Sequence, residues 1–182
     1  MGSEMCIRDS LKVGRGAAKM LSVAARKPGK IAIFVGGYRW HGHDLRETGF
    51  RGFFRETPSD FEILDALVNL ETRQLTHEAT LDLLERHPDV TGIYVAGGGM
   101  EGAIAALREL RAPGEVALVV NELTQESQFA MVDGYVTLIN ETPLRELSRR
   151  LVELMVNSLD DSFAVPGQTF LRSVLHLPEF DN

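Results

Sequence analysis

Short, continuous apolar runs alternate along this chain with longer stretches in which apolar residues recur at helical spacing. The run Lys30–Val35 is rich in β-branched residues, which is typical of a strand covered on both faces of a sheet. Further strands are predicted at Phe61–Leu70, Val90–Ala96, Glu115–Val120 and Tyr135–Asn140, with Gln168–Leu175 a candidate for a last one. Helices are predicted between them at Asp9–Ala25, Asp44–Glu56, Thr72–Arg86, Met100–Leu110, after Thr124, and from Pro143 to about Leu159.

Strands that alternate with helices at this spacing indicate an α/β fold with a parallel sheet, because a crossover helix must connect each parallel pair. We predict a three-layer sandwich with a mostly parallel five-stranded sheet and helices on both faces. A length of 182 residues suits a single domain. The ligand side of such a sheet is its carboxyl edge, where three loops are expected to gather: Gly36–Asp44, Gly97–Met100, and Asn121 with Glu122.

The first of these loops brings glycines, aromatic residues and histidines together just before a helix. Asp44 and Glu47 have the spacing of a capping box, which predicts that the helix begins near Asp44 and places Arg46 in its first turn. Trp40 suits a sugar, since the apolar face of a sugar ring packs on an aromatic side chain while its hydroxyls bond to charged groups. The same holds for Tyr38, for which a core or hinge role is an equal alternative.

A glycine-rich turn and a pair of histidines offer two other interpretations. Residues 97–102 read G-x-G-x-x-G, and Glu122 follows about 20 residues later, as in a dinucleotide-binding turn. Because that turn normally follows the first strand and here follows the third, glycines that simply form a tight turn are favoured. His41, His43 and Asp44 invite a metal but lack a third ligand at helical spacing. No nucleophile with a partnered histidine is visible, so we expect no catalytic residue, no metal and no cofactor.

Composition and charge narrow the class of protein. Hydrophobic residues make up 44% and charged residues 25%, as in ordinary globular domains. The net charge of −7 argues against nucleic-acid binding by this segment, because phosphate binding needs a positive surface. A single cysteine, Cys6, favours an intracellular setting, and no apolar run approaches the roughly 20 residues of a membrane-spanning helix. Residues 1–8 have neither a signal-peptide pattern nor a helical period, and we interpret them as a non-native leader.

Six segments, in this order and spacing, resemble the effector-binding part of LacI-type transcriptional regulators, and more narrowly the branch close to the periplasmic sugar-binding proteins. They read DSLKVGRGAAKML, KIAIFVGG, DLRETGFRGFF, HPDVTGIYVAGGGMEGAIAAL, VALVVNELT and GYVTLINETP. The resemblance implies one lobe of a type I periplasmic-binding-protein-like fold, the carboxyl-terminal lobe, over residues 9–182. It also implies a hinge crossing near residues 140–142. The amino-terminal lobe and the helix-turn-helix of such regulators have no counterpart here.

The resemblance also implies roles for particular residues. Arg46 matches the arginine that contacts the effector, and Glu122 matches an acidic residue that accepts from ligand hydroxyls. Glu141 stands at the hinge position usually held by glutamine, and Gly97 stands where an asparagine often reaches the ligand, a contact that glycine cannot make. Val95 and Met100 replace polar residues, which makes that side of the pocket more apolar; the predicted ligand set is completed by Trp40, Asp44 and Asn121.

The leading hypothesis is therefore a non-enzymatic, cytoplasmic sensor of a sugar or polyol effector. It would be part of a regulator that contacts DNA only through a missing amino-terminal domain, forms a homodimer at full length and does not contact a membrane. The alternative is a periplasmic sugar-binding protein of a transport system, and the third is a nucleotide-binding Rossmann-like enzyme. If a lobe is missing, the stripe of the last helix should be partly uncovered or fold back on the domain, at Leu144, Leu147, Leu151 and Leu154.

Overall fold

A computed structural model describes residues 6–37, 40–157, 159 and 169–178. The strands are β1 (Cys6–Arg8), β2 (Lys30–Val35), β3 (Glu62–Ile63), β4 (Leu67–Val68), β5 (Val90–Val95), β6 (Ala117–Asn121), β7 (Leu138–Glu141), β8 (Thr169–Leu171) and β9 (Val174–His176). The helices are α1 (Ser10–Ala24), α2 (His41–Glu56), α3 (Arg73–Arg86), α4 (Met100–Leu110), α5 (Gln125–Val132) and α6 (Leu144–Asn157).

The main sheet is mostly parallel and has the order β3-β2-β5-β6-β7-β9, with β4 also paired to β2. Among the described strands of this sheet, β9 alone runs antiparallel, against β7. Strands β1 and β8 form a separate parallel pair. The predicted α/β fold with a mostly parallel sheet is thus confirmed, but the described sheet has seven strands rather than the predicted five. The predicted strand Phe61–Leu70 is two short strands on successive parts of β2, with Asp65, a residue type depleted in strands, at the interruption.

Apolar cores lie on both faces of the sheet because successive side chains of each central strand point to opposite faces. In β2, Ile31, Ile33 and Val35 pack toward α1 and α2, whereas Ala32 and Phe34 pack toward α3 and α4. These five side chains are at most 1% exposed. A strand covered on both sides explains the continuous apolar run in the sequence.

Helices α1 and α2 approach each other backbone to backbone through two glycines. A Cβ on Gly14 would overlap the carbonyl oxygen of Arg46, and a Cβ on Gly49 would overlap that of Leu11. The pair therefore has no room for a side chain at either position. This contact fixes the backbone of α2 at Arg46.

Helix α2 begins one turn earlier than predicted. Its N-cap is Trp40, whose carbonyl accepts from the N–H groups of His43 and Asp44. The predicted capping box of Asp44 and Glu47 is therefore wrong, since both residues lie inside the helix, and Glu47 accepts instead from Arg51 Nε at 2.7 Å.

Helix α6 has no buried residue. It begins at Leu144, one residue after the predicted first position, and Leu144, Leu151 and Met155 are 62%, 39% and 58% exposed. The expectation of an uncovered stripe is confirmed, while the predicted limits of the lobe and the leader stay predictions. Among the described helices, none is both long and apolar enough to cross a membrane.

Candidate functional site

A cleft of about 320 Å³ opens at the carboxyl edge of β2, β5 and β6, where the predicted loops gather. It is bounded by the amino-terminal part of α2, the turn before α3, the glycine loop before α4 and the end of β6. Its walls are His43, Arg46, Glu71, Gly97, Gly98, Met100, Glu101, Asn121, Glu122 and Thr124. Four of the predicted ligand residues, Arg46, Gly97, Asn121 and Glu122, are therefore brought together.

Arg46 is held in the cleft wall by the end of β5. Its Nη1 donates to the carbonyl oxygen of Ala96, and its buried Nε has no hydrogen-bond partner in the described part of the chain. A guanidinium is a planar fork of five N–H donors. Because one nitrogen is anchored on the backbone, the fork is fixed while it keeps donors for a ligand.

Asn121 lies at the floor of the cleft and is 2% exposed. Its Nδ2 donates to the carbonyl oxygen of Val95 at 2.9 Å and to the hydroxyl of Tyr94 at 3.3 Å, which ties β6 to β5. Its Oδ1 is buried without a hydrogen-bond partner among the described residues. Leaving a buried acceptor unpaired is costly, so this oxygen is a candidate for a ligand hydroxyl.

The carboxylates of Glu122 and Glu141 are both engaged within the protein. Glu122 has a left-handed backbone (φ +70°), and its oxygens accept from the Thr142 N–H at 3.0 Å and from the Thr142 hydroxyl at 2.7 Å. Glu141 Oε2 lies 2.7 Å from His176 Nε2, in the β7–β9 pair, and the residue is not part of the cleft wall. Glu122 therefore connects the cleft to the start of α6.

Trp40 and Asp44 lie outside the cleft wall. Trp40 is 46% exposed, with its ring 6.4 Å from the ring of His43, and Asp44 is exposed on the first turn of α2. Tyr38 falls outside the described residues. The predicted ligand role of Trp40 and Asp44 stays a prediction.

Six cleft residues are not in the predicted ligand set, and two of them, His43 and Glu71, face each other. His43 Nδ1 accepts from the Gly36 N–H at 3.1 Å, so the ring proton of the neutral histidine is on Nε2, which lies 3.4 Å from Glu71 Oε1. The same Glu71 oxygen accepts from the Gly98 N–H at 3.1 Å. His43 could have been found from its spacing of three residues before Arg46 on one helix face. Glu71 gave no such signal, because it lies in an irregular turn.

These two side chains explain the glycine at position 97. A Cβ there would lie 2.8 Å from His43 Nε2 and 2.9 Å from Glu71 Oε1, closer than real contacts allow. The space that a side chain of residue 97 would need is already occupied. An asparagine at position 97 would therefore require these two side chains to move.

The glycine run forms a tight turn into α4. Gly99 is the N-cap of α4 with φ +87°, a left-handed conformation that favours glycine. The Gly98 N–H, which a bound phosphate would require, is taken by the carboxylate of Glu71. This geometry disfavours the dinucleotide interpretation. Among the described residues, no three His, Cys, Asp or Glu side chains come together as metal ligands.

Known proteins share this architecture. None of the curated proteins is significantly similar to the chain in sequence. The fold matches GanP, a glucose-galactose binding protein from Geobacillus stearothermophilus, with a TM-score of 0.87 and 17% identity over 96% of this chain and 62% of that chain. It matches an ABC transporter periplasmic solute binding protein from Actinobacillus succinogenes with bound D-allose, with a TM-score of 0.86 and 19% identity over 96% and 62%.

A third match is a periplasmic ribose ABC transporter protein from Conexibacter woesei, with a TM-score of 0.87 and 22% identity over 97% of this chain and 59% of that chain. The chain therefore spans about 60% of the length of these proteins, and at such identities the likeness shows the fold. The sequence model for the periplasmic binding protein domain matches residues 8–161. The chain belongs to the periplasmic binding protein domain family.

Proposed function

We propose that this chain is one lobe of a two-lobed binding protein that takes a sugar or polyol in the cleft at the carboxyl edge of the sheet. The observation that carries the proposal is the pairing of a fixed donor with an unpaired acceptor. Arg46 is anchored on Ala96 with its Nε unpaired, and Asn121 Oδ1 is unpaired in the same cleft. Each sugar hydroxyl both donates and accepts, so adjacent hydroxyls match such a pair.

The second lobe would cover α6 and close the cleft. This helix has no buried residue, and the chain spans about 60% of the length of the structures it matches. An uncovered apolar stripe of this kind usually marks a missing partner. Closure of two lobes about a hinge would exclude water from the ligand, and the Glu122–Thr142 hydrogen bonds would connect the cleft wall to the hinge.

A transport-associated binding protein is the first choice for the whole protein, and a LacI-type regulator is the second. Two of the three matched structures are named as parts of ABC transporters, which favours the transport role. The six segments that resemble regulators favour the other. The upstream sequence separates them. A signal peptide would place the protein outside the cytoplasm, whereas a helix-turn-helix would imply a cytoplasmic, DNA-binding homodimer.

The proposal is tested by a thermal-shift screen of the full-length protein against pentoses, hexoses and polyols. A ligand at 100 times its Kd should stabilise the native state by about 2.7 kcal/mol. Arg46→Ala should abolish the shift, whereas Arg86→Ala, an exposed arginine on α3, should leave it unchanged. A full thermal shift in Arg46→Ala would show that Arg46 does not contribute to ligand binding. A panel without any shift would contradict sugar binding.

A further inference from the structure

An unusual turn positions Glu71 in the wall of the cleft. Leu70 and Glu71 are consecutive non-glycine residues in the left-handed region, with φ of 49° and 58°. Such conformations are uncommon outside glycine and cluster at functional sites. The turn is held by the fully buried Asn69, which accepts from the Glu71 N–H at 3.0 Å and donates to the carbonyl oxygen of Gly98 at 2.9 Å.

One carboxylate oxygen of Glu71 contacts the protein, and the other is available to a ligand. Oε1 accepts from the Gly98 N–H and faces His43 Nε2, whereas Oε2 has no hydrogen-bond or ion-pair partner in the described part of the chain. The side chain is 38% exposed and lines the cleft. The Gly98 N–H lies directly before α4, where the helix dipole favours a negative charge. A fixed acceptor therefore faces the ligand space.

The described lining of the cleft has more acidic than basic side chains. Its carboxylates are Glu71, Glu101 and Glu122, and its guanidinium is that of Arg46. Glu101 lies on the first turn of α4 without an ion pair among the described residues. His43 Nε2 lies 3.4 Å from Oε1 of Glu71. An anionic ligand would meet like charges here, and a cationic one would meet opposite charges.

We propose that Glu71 sets the charge preference of the cleft, so that an amino sugar binds more tightly than a sugar acid of the same ring. The inference rests on the proposed sugar-binding function and names the ligand class within it. Neutral sugars should bind with an affinity between these two, since they bond to Arg46 and Asn121 but carry no charge that Glu71 could attract or repel. Asn69 and Gly98 hold the Glu71 carboxylate in place. This matters because solvent would screen the charge of a mobile carboxylate, which would then discriminate less between ligands.

Calorimetry on the full-length protein at low salt tests this with two matched series. These are glucose, glucosamine and glucuronate, and galactose, galactosamine and galacturonate. In the wild type, the amino sugar should bind at least about tenfold more tightly than the uronate in the series that binds. Glu71→Gln keeps an acceptor for Gly98 and should reduce that ratio by about tenfold, with neutral-sugar affinity changed less than about threefold.

Two further variants make the result specific. Glu85→Gln removes the same charge from the exposed face of α3 and should leave the ratio unchanged. Glu101→Gln should reduce it in the same direction as Glu71→Gln and keeps the test usable if Glu71→Gln does not fold. High salt should weaken the effect of Glu71→Gln, since the charge term is screened.

The outcomes separate the two proposals. Neutral-sugar binding with an unchanged ratio in Glu71→Gln, or a wild type that prefers the uronate, would overturn the role of Glu71 and leave sugar binding in place. If Glu71→Gln does not fold, an unchanged ratio in Glu101→Gln would overturn the acidic selectivity of the cleft. A wild type that binds no neutral sugar of either series or of the wider panel would overturn both proposals.

Discussion

Strand β5 and helix α6 are both strongly patterned in sequence, yet they have opposite surroundings. All six residues of β5 are buried, whereas none of the fourteen residues of α6 is. The cover of β5 comes from helices within this chain. An apolar pattern therefore shows which face needs to be covered, whereas the covering surface can belong to another part of a longer protein.

The largest predicted effect is the difference in stability between a substitution in the sheet core and one in α6. Phe50 is fully buried and its ring stacks on that of Tyr94 at 5.4 Å, so Phe50→Ala should lower the free energy of unfolding of this chain by about 3–5 kcal/mol. Leu151→Ala, in the uncovered stripe of α6, should change it by no more than about 0.5 kcal/mol. Urea unfolding monitored by circular dichroism measures both. A loss above about 2 kcal/mol for Leu151→Ala would mean that α6 already belongs to the core.

An intermediate effect is predicted where α1 touches α2, in contrast to the free surface of α6. Gly14→Ala should destabilise the chain by about 1–3 kcal/mol, because the new Cβ overlaps the Arg46 carbonyl oxygen. Gly16→Ala, on the same helix, has nothing within 4 Å and should stabilise by about 0.5–1 kcal/mol through helix propensity. Thermal unfolding of the two variants is the measurement. Equal effects would show that the helices do not approach as closely as described.

The smallest effect is predicted at the start of α1, where Asp9 is the N-cap within its own helix. The start of α6 is instead held by hydrogen bonds between Thr142 and Glu122. Burial tends to raise the pKa of Asp9, but hydrogen bonds from the side chain and backbone N–H of Lys12 outweigh it and hold that pKa below its ordinary value. The folded form therefore gains stability above the unfolded pKa of about 3.9, and loses it as pH falls through the lower folded pKa.

Asp9→Ala should accordingly cost about 1 kcal/mol at pH 7 and less below pH 4. Asp9→Asn preserves a good N-cap and should cost at most a few tenths of a kcal/mol. This variant should lack the pH dependence that Asp9 contributes, because asparagine does not titrate. Unfolding curves at the two pH values measure the difference. A cost of Asp9→Ala that does not depend on pH would show that the charge of Asp9 is not involved.

Much of the fold could be predicted because it depends on local periodicity. Strand β2 and helix α4 follow from an apolar run and a helical stripe, and both lie close to their predicted bounds. The start of α2 could not be predicted, because the Asp44–Glu47 spacing imitates a cap that Trp40 forms one turn earlier. Periodicity shows where a helix continues more reliably than where it begins.

The cleft could be predicted less completely, because its side chains are positioned by distant contacts. The position of Arg46 after a strand predicts its place in the cleft, whereas its anchor on Ala96 depends on the neighbouring strand. Glu122 has both carboxylate oxygens on Thr142, a residue 20 positions away that no spacing rule connects to it. Glu71 depends on a left-handed turn, which leaves no apolar period to detect.

Hydrogen–deuterium exchange of the full-length protein, with and without its sugar, shows whether this chain is one lobe of a two-lobed sugar-binding protein. Amides of α6 should exchange much more slowly than in this isolated chain, because a second lobe covers the stripe. Sugar should further protect the turn at Gly97–Met100 and the segment Asn121–Thr124, which line the cleft. Equal exchange of α6 in both proteins, or no protection of these loops at saturating sugar, would contradict a two-lobed sugar-binding protein.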